Sequence, residues 1–405
     1  MKKIQEKHKI LIPLFYDYHL FGYLERVIPK LAEHGFDVCV LTADPHIEKR
    51  YNSYGQKIRV SKSFHVRAIE KLMQMGFLRV MGWIYGWIWS YFVTFKTSAI
   101  LLPRDTRPLQ YLIGCWRPSV LVQPSLGKYT KLYLHHKYGA ETRFPIPKID
   151  THFPIIDKVL GGGYLRSVSH PMKNKIYAVI GNDSKEFYEK IGAAPARVRV
   201  LGNPNYDGLA LYKKDNPALD LMREKISYKD EEVVLSFFPS QLTFSDDDIQ
   251  KLTVFAQASR AVLVIKPHPR ICSQELAKLK MLEQRVSLPS RVVVMEGFRG
   301  EDNNVRLMSL SDAVLVEESN VGILAAYLQK PLLILTLSGG ETHNFFKLFD
   351  IVEVDERNIS EFQKGTHDLS QQEKMIKSVA KRLEFPHTEI VRLLEELIEQ
   401  PEDFL

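Results

Sequence analysis

At 405 residues the chain is longer than one hydrophobic core usually organises, so two domains are expected. Apolar residues make up 45% and charged residues 25%, a balance that excludes wholesale disorder. The net charge of +7 conceals an asymmetry: residues 1–200 carry 31 Lys/Arg against 15 Asp/Glu and residues 201–405 carry 24 against 33, so a basic half that faces something anionic is joined to an acidic one.

The basic N-terminus (Lys2, Lys3, Lys7, Lys9) precedes an apolar run, Ile10 to Phe15, that contains a proline and is too short for a signal peptide. Three widely spaced cysteines with no CxxC pair exclude a disulfide scaffold or cysteine-rich zinc site and fit a reducing compartment. A cytoplasmic location is therefore expected. The lack of a zinc finger, an RNP-like aromatic strand or a lysine-rich tail speaks against nucleic acid as the partner and for a phosphorylated small molecule or an acidic membrane surface.

Short β-branched runs alternate with longer amphipathic stretches along the whole chain. Strands are expected at Lys9–Phe15, Asp37–Ala43, Ser98–Leu102, Ser119–Gln123, Ile176–Ile180 and Val198–Leu201 in the first half. The second half gives Glu232–Phe238, Ala261–Lys266, Arg291–Met295, Ala313–Val316, Leu332–Thr336 and Ile351–Val354. Near-continuous apolar runs of this kind are the pattern of parallel strands covered by helices on both faces. Tyr23–Glu33 reads as one such helix, with Leu24, Val27, Ile28 and Leu31 on one face and Gly35 as its stop. Twelve strands in repeated βα units imply two doubly wound α/β sheets, one per domain, with a cleft between them.

Residues 80–95 are uncharged and aromatic, holding Trp83, Trp87 and Trp89 between Arg79 and Lys96. The sixteen residues are too few to span a bilayer. Residues 51–150 carry 15 Lys/Arg against 4 Asp/Glu, so this helix is either packed on the sheet or held on an anionic membrane surface by its tryptophans and basic flanks. Arg104 and Arg107, in the loop after Ser98–Leu102, are candidates for an anionic acceptor. The seam falls near Gly202-Asn203-Pro204-Asn205, giving an N-terminal domain of residues 1–204, a C-terminal domain of 205–385 and a terminal helical segment of 386–405, whose last helix is expected at Glu389–Gln400 after the break at Pro386.

Two clusters carry chemistry. The run Val262 to Arg270, VLVIKPHPR, delivers Lys266, His268 and Arg270 to the C-terminal end of a buried strand, where they could bind the diphosphate or the phosphate and ribose of a nucleotide, if the two prolines are not merely a rigid turn. No second histidine or carboxylate follows at metal-ligand spacing. The run Asp312 to Ala326 reads as strand, acidic pair (Glu317, Glu318), helix cap (Ser319, Asn320) and helix, a phosphate-binding arrangement or simple capping.

The pattern VxVxGNPxxDxL at Val198–Leu209, the strand into Lys266-Pro267-His268-Pro269 and the segment Ser311–Leu335 together resemble the C-terminal half of GT-B glycosyltransferases. The nearest likeness is to the surface-polysaccharide sialyl- and Kdo-transferases and the CDP-glycerol glycerophosphotransferases, and the non-hydrolysing UDP-GlcNAc 2-epimerases share the architecture. The resemblance implies a donor nucleotide on the C-terminal domain, met by Lys266, His268 and Pro269, with Ser319 and Asn320 on its phosphate. It also implies an acceptor on the N-terminal domain. Leu324 stands where relatives often carry a ribose-binding carboxylate, so Glu317 or Glu318 takes that contact, ribose is read differently, or donor binding is lost. The EX7E element of many retaining enzymes and the Ser-Gly-Gly with paired Glu of the epimerases are missing.

The Phe238-Pro239-Ser240-Gln241 loop follows the first strand of the second domain, where its backbone N–H groups and Ser240 are candidates for a phosphate; by the resemblance, Glu341, His343 and Asn344 meet the transferred sugar, unless they are ordinary polar groups of a loop. The backbone after Met295-Glu296 is a weaker candidate for reading the base. Asp17 and His19, in the loop after the first strand, are the candidate catalytic base. The function implied is metal-independent transfer of a sugar from a nucleotide-activated donor to a surface-glycan or lipid-linked acceptor, with inversion. Glycerophosphate transfer from a CDP-linked donor and a catalytically silent nucleotide- or glycan-binding protein are the alternatives.

Overall fold

A computed structural model of the chain gives the fold. It describes residues 8–15, 24, 27–45, 47–48, 58–63, 65–75, 78–103, 108–123, 133–134, 137, 175–206, 208–269, 271–296, 301–337, 344–362, 368–380 and 386–399. The chain divides into two compact units, one of residues 1–133, 142–207 and 383–405, the other of 134–141 and 208–382.

The first unit is built on a seven-stranded sheet in which all the pairings are parallel. Its strands are β1 (Lys9–Pro13), β2 (Asp37–Thr42), β3 (Ile58–Lys62), β4 (Ala99–Leu102), β5 (Ser119–Val122), β6 (Lys175–Val179) and β7 (Val198–Val200). Their spatial order is β3-β2-β1-β4-β5-β6-β7, so the connections leave in opposite directions on either side of the β1–β4 pair. The central strands are buried on both faces, which is why they read as unbroken apolar runs.

Helix α1 (Val27–Glu33) buries Val27, Ile28 and Leu31 against this sheet. It stops where Gly35 takes φ +91°, a backbone conformation that a side chain would strain. Around the same sheet lie α2 (His65–Gln74), α3 (Arg79–Thr94), α4 (Pro108–Trp116) and α5 (Asn182–Lys190).

β3 is absent from the expected strands. Its sequence, Ile58-Arg-Val-Ser-Lys, alternates apolar and polar residues because it lies at the sheet edge, and Arg59 pairs there with Asp37 of β2. In the aromatic segment, Trp83 is buried while Trp87 is exposed and Trp89 is half-buried.

The second unit holds a five-stranded parallel sheet ordered β10-β9-β8-β11-β12. Its strands are β8 (Val234–Phe238), β9 (Val262–Ile265), β10 (Arg291–Val294), β11 (Ala313–Val316) and β12 (Leu332–Ile334). A sixth strand, expected at Ile351–Val354, is reduced to one bridge between Glu353 and Ile334. Its helices include α6 (Asp246–Ser259), α7 (Glu301–Leu310), α8 (Asn320–Tyr327) and α9 (Ser370–Val379). A capping box starts α6: the Ser245 hydroxyl accepts from the Asp248 N–H at 3.1 Å, and the Asp248 carboxylate accepts from the Ser245 N–H at 2.9 Å.

The last helix, α10 (Pro386–Glu399), begins at Pro386 instead of after it; proline is well tolerated in the first helical turn, where its missing N–H has no partner to lose. It returns to the first unit and places Ile390, Val391, Leu393, Leu394 and Leu397 in the same core as Ile10, Val38 and Leu101. Leu394→Ala is therefore expected to destabilise the first unit by about 2–5 kcal/mol. Arg392→Ala, on the exposed face of the same helix, should lose about 1 kcal/mol or less. Denaturant unfolding of the two variants distinguishes the sites.

Candidate functional site

In an open parallel sheet, ligands bind outside the carboxyl ends of the strands, at the point where the connections change direction. In the second unit that point lies between β8 and β11, with β9 next to β8. The loops that leave these three strands hold Ser240 after β8, Lys266 and His268 after β9, and Glu317 to Asn320 after β11.

Glu317 is the centre of the arrangement. It follows the last residue of β11, and only 4% of it is exposed. Its Oε2 accepts from the Ser240 backbone N–H at 2.8 Å, the Gln241 N–H at 3.3 Å and the Ser240 hydroxyl at 3.3 Å. Its own carbonyl accepts from the Asn344 side-chain amide. The other end of that amide, Oδ1, accepts from the Phe346 N–H at 2.9 Å and caps the short helix Phe345–Phe349. One acidic residue thus ties together the chain after β8, β11 and β12. Burial raises the Glu317 pKa above the ordinary carboxylate value, against the lowering effect of the donated hydrogen bonds.

Lys266 follows β9 directly, and its N–H donates to the Phe237 carbonyl at 2.9 Å. Its ammonium donates to Asn304 of α7 and lies 5.9 Å from the centroid of the Phe238 ring, so this cation is held beside the chain that leads into Ser240. His268 is half-buried in the next turn, where its carbonyl accepts from Ile271 N–H at 2.9 Å.

Ser319 caps α8 by accepting from the Val321 N–H at 3.2 Å, and Asn320 opens the helix. Glu318 and Asn320 are half-buried beside it. Leu324, by contrast, is completely buried in α8. A Cβ on Gly322 would come within 2.4 Å of the Phe346 ring, so this glycine lets the Phe345–Phe349 helix pack against the start of α8.

Of the residues expected from sequence, Ser240, Glu317 and Asn344 are joined by direct hydrogen bonds, and Lys266 lies over the residue that begins the Ser240 loop. Glu317 and Asn344 hydrogen-bond to neighbouring loops. Arg270, Glu341 and His343 lie outside the described residues. In the first unit the equivalent switch point is between β1 and β4, the strands that precede the Asp17/His19 and Arg104/Arg107 segments; those four residues also lie outside the described residues. Asn304, Phe238 and Gly322 are contributors that sequence reasoning missed. Among the described residues no group of three His, Cys, Asp or Glu side chains is placed to hold a metal ion.

Glu317→Gln keeps an acceptor for Ser240 and Gln241 and removes the buried charge. A raised carboxyl pKa favours folding below the unfolded pKa, and that advantage is lost as pH rises through the folded pKa. The wild-type protein should therefore lose stability relative to Glu317→Gln between acid and neutral pH, as read by denaturant unfolding. Glu317→Ala should be destabilised by about 1–3 kcal/mol because two backbone donors lose their acceptor. Gly322→Ala should lower the melting temperature by displacing Phe346, as read by thermal unfolding.

No family model matches the chain, and no curated protein matches it. Solved structures align over nearly its whole length. A glycosyltransferase from Rickettsia africae gives a TM-score of 0.54 at 11% identity, over 97% of this chain and 99% of that one. UDP-GlcNAc 2-epimerase from Neisseria meningitidis, solved with UDP-GlcNAc, gives 0.56 at 15% identity, over 96% and 100%. Os79 from O. sativa, solved with UDP, gives 0.58 at 12% identity, over 96% and 100%. Likeness at this level of identity is likeness of fold, and with its two doubly wound parallel sheets the chain has the GT-B fold.

Proposed function

We propose that the protein is a glycosyltransferase that moves a sugar from a nucleotide-activated donor to a surface-glycan or lipid-linked acceptor at the cytoplasmic face of the membrane. The observation that carries this reading is the convergence of Lys266, Ser240 and the Glu317–Asn320 turn on three adjacent strand ends at the β8–β11 switch point. It is supported by the fold shared with proteins solved in complex with UDP or UDP-GlcNAc.

In this mechanism Lys266, His268 and Arg270 neutralise the donor diphosphate, and Ser319 with the first N–H groups of α8 holds it by hydrogen bonds. Glu317 and Asn344 keep the loops in register, Glu318 is the candidate for the ribose hydroxyls, and Glu341 and His343 meet the sugar. The acceptor hydroxyl oxygen attacks the anomeric carbon as the bond to the diphosphate oxygen breaks. The hydroxyl proton passes to His19, oriented by Asp17, and the nucleoside diphosphate leaves against the cationic side chains. Attack from the face opposite the leaving group inverts the anomeric carbon, and the step uses no metal. Arg104 and Arg107 hold an anionic acceptor.

The buried Leu324 favours a second reading, in which the fold binds a nucleotide or a glycan without catalysis. Thermal shifts with UDP, GDP, CMP and CDP identify the donor class, a CDP preference pointing to glycerophosphate transfer. Product analysis with UDP-GlcNAc, with and without a lipid-linked acceptor, separates transfer from epimerisation and from silence. His268→Ala should weaken nucleotide binding by about tenfold, the loss of one charge-assisted hydrogen bond of ~1.4 kcal/mol. His19→Ala should spare that binding and lower turnover at least about a hundredfold. Equal effects of the two substitutions on nucleotide affinity would reject this division of roles.

A further inference from the structure

Helix α3 is inverted relative to an ordinary surface helix. Its side facing the protein holds Gly82, Gly86, Ser90 and Thr94, one residue per turn, together with Trp83. Its solvent side holds Met81, Ile84, Ile88, Phe92 and Phe95, all between 45% and 70% exposed. A soluble helix is expected to show the reverse pattern, with its apolar stripe turned to the core.

The inward side explains how such a helix is held. A Cβ on Gly82 would lie 2.6 Å from the Met73 backbone nitrogen, and one on Gly86 the same distance from the Met73 side chain, so the two glycines bring α2 and α3 into close contact. The inward polar groups bond within the helical layer. Ser90 Oγ donates to the Trp87 carbonyl at 2.8 Å and accepts from the Trp116 indole N–H at 2.7 Å, and Thr94 Oγ1 donates to the Ser90 carbonyl at 2.9 Å. Arg117 closes the C-terminal end by donating to the Thr94 and Phe95 carbonyls at 3.1 and 2.8 Å. The polar groups therefore face the protein while the large apolar side chains face outward.

The surroundings identify what covers this face. Between Ile58 and Pro103 the sequence holds Arg59, Lys62, Arg67, Lys71, Arg79 and Lys96 against the single acid Glu70. Trp87 and Tyr91 flank the stripe and pack against Trp116 in tilted and edge-to-face geometry with ring centroids 4.7 and 5.0 Å apart, the residue types that favour the boundary between lipid and water. At sixteen residues α3 measures about 24 Å, and among the described residues no helix is long and apolar enough to cross a membrane. A second copy of the chain is a poor occupant, because a two-fold contact through α3 would bring the basic flanking segments of two copies together.

We infer that α3 lies flat on an anionic bilayer, with Met81, Ile84, Ile88, Phe92 and Phe95 inserted at the headgroup level and the surrounding lysines and arginines on lipid phosphates. This deepens the membrane placement proposed above and is independent of the donor chemistry. It also moves the contact away from Trp83, which is buried, to the opposite face of the helix.

The test is flotation of the full chain with phosphatidylcholine vesicles, with and without phosphatidylglycerol, at low and high salt. Wild-type protein is expected to float with the phosphatidylglycerol vesicles at low salt and to be released by salt. Ile88→Glu/Phe92→Glu should reduce that binding at least about tenfold, since each change replaces inserted apolar area with charge. Lys71→Glu/Lys96→Glu should reduce it on phosphatidylglycerol vesicles alone. Both pairs are exposed, and an unchanged melting temperature confirms folding. An unchanged UDP-induced thermal shift in the Ile88/Phe92 variant shows the membrane face to be separate from the donor site.

The inference is overturned if wild-type protein ignores phosphatidylglycerol vesicles at low salt or if the Ile88/Phe92 variant binds as well as wild type. It is equally overturned if the face proves to close a dimer in solution that those substitutions dissolve. Loss of nucleotide binding by wild-type protein, with flotation retained, would reject the transferase reading and leave this one standing.

Discussion

The second unit depends on one buried carboxylate at the place where its sheet is most open. At a switch point two neighbouring strands send their chains away in opposite directions, so the loops above them have no regular ladder to pair with. The backbone N–H groups of Ser240 and Gln241 still need acceptors. Glu317 supplies one through its side chain and, through its carbonyl, also fixes Asn344, which in turn caps the helix that Gly322 admits. Loops from three strands are thereby set in register by a single residue. An apolar side chain at 317 would pack as well and would satisfy neither N–H. The burden of burying a carboxylate is the condition for a rigid rim on which Lys266 and the α8 N-terminus are presented.

The first unit solves a different problem. Its sheet is covered by helices whose apolar stripes face inward, except at α3, where small and hydroxylated residues are turned to the protein and bulky apolar ones are turned out. The close approach of α2 at Gly82 and Gly86 makes this arrangement stable without a large apolar inward face. The sequence that flanks this helix, from Ile58 to Pro103, carries six basic residues against one acid.

Much of the architecture was legible in the sequence because buried parallel strands advertise themselves as unbroken apolar runs; β1, β2, β4, β5 and β6 and all five strands of the second unit were readable this way. β3 was not, since an edge strand alternates like many amphipathic segments. The ends of the strands also ran short of the apolar runs, because Phe15, Leu201 and Leu335 are buried beyond the last ladder pair. At the candidate site, residue types pointed to loops that the fold brings to adjacent strand ends, but whether Glu317 meets a ligand or a neighbouring loop depends on backbone geometry that spelling does not encode. The orientation of the aromatic helix has a signal of its own: Gly82, Gly86, Ser90 and Thr94 recur at four-residue intervals and mark the inward side. The tryptophan count marked the helix without marking its face.

The path of α10 bears on how the molecule is made. The sheet of the first unit is translated early, yet five of the side chains that complete its core belong to a helix that follows the whole second unit. At ordinary elongation rates the ribosome takes on the order of ten seconds or more to cover that gap. During that interval the nascent first unit exposes the apolar groove that α10 will fill, including the surroundings of Ile10, Val38 and Leu101. Its folding is therefore finished after release of the last helix, not in order of synthesis, and its window of vulnerability to aggregation or to chaperone capture is set by the length of the segment in between.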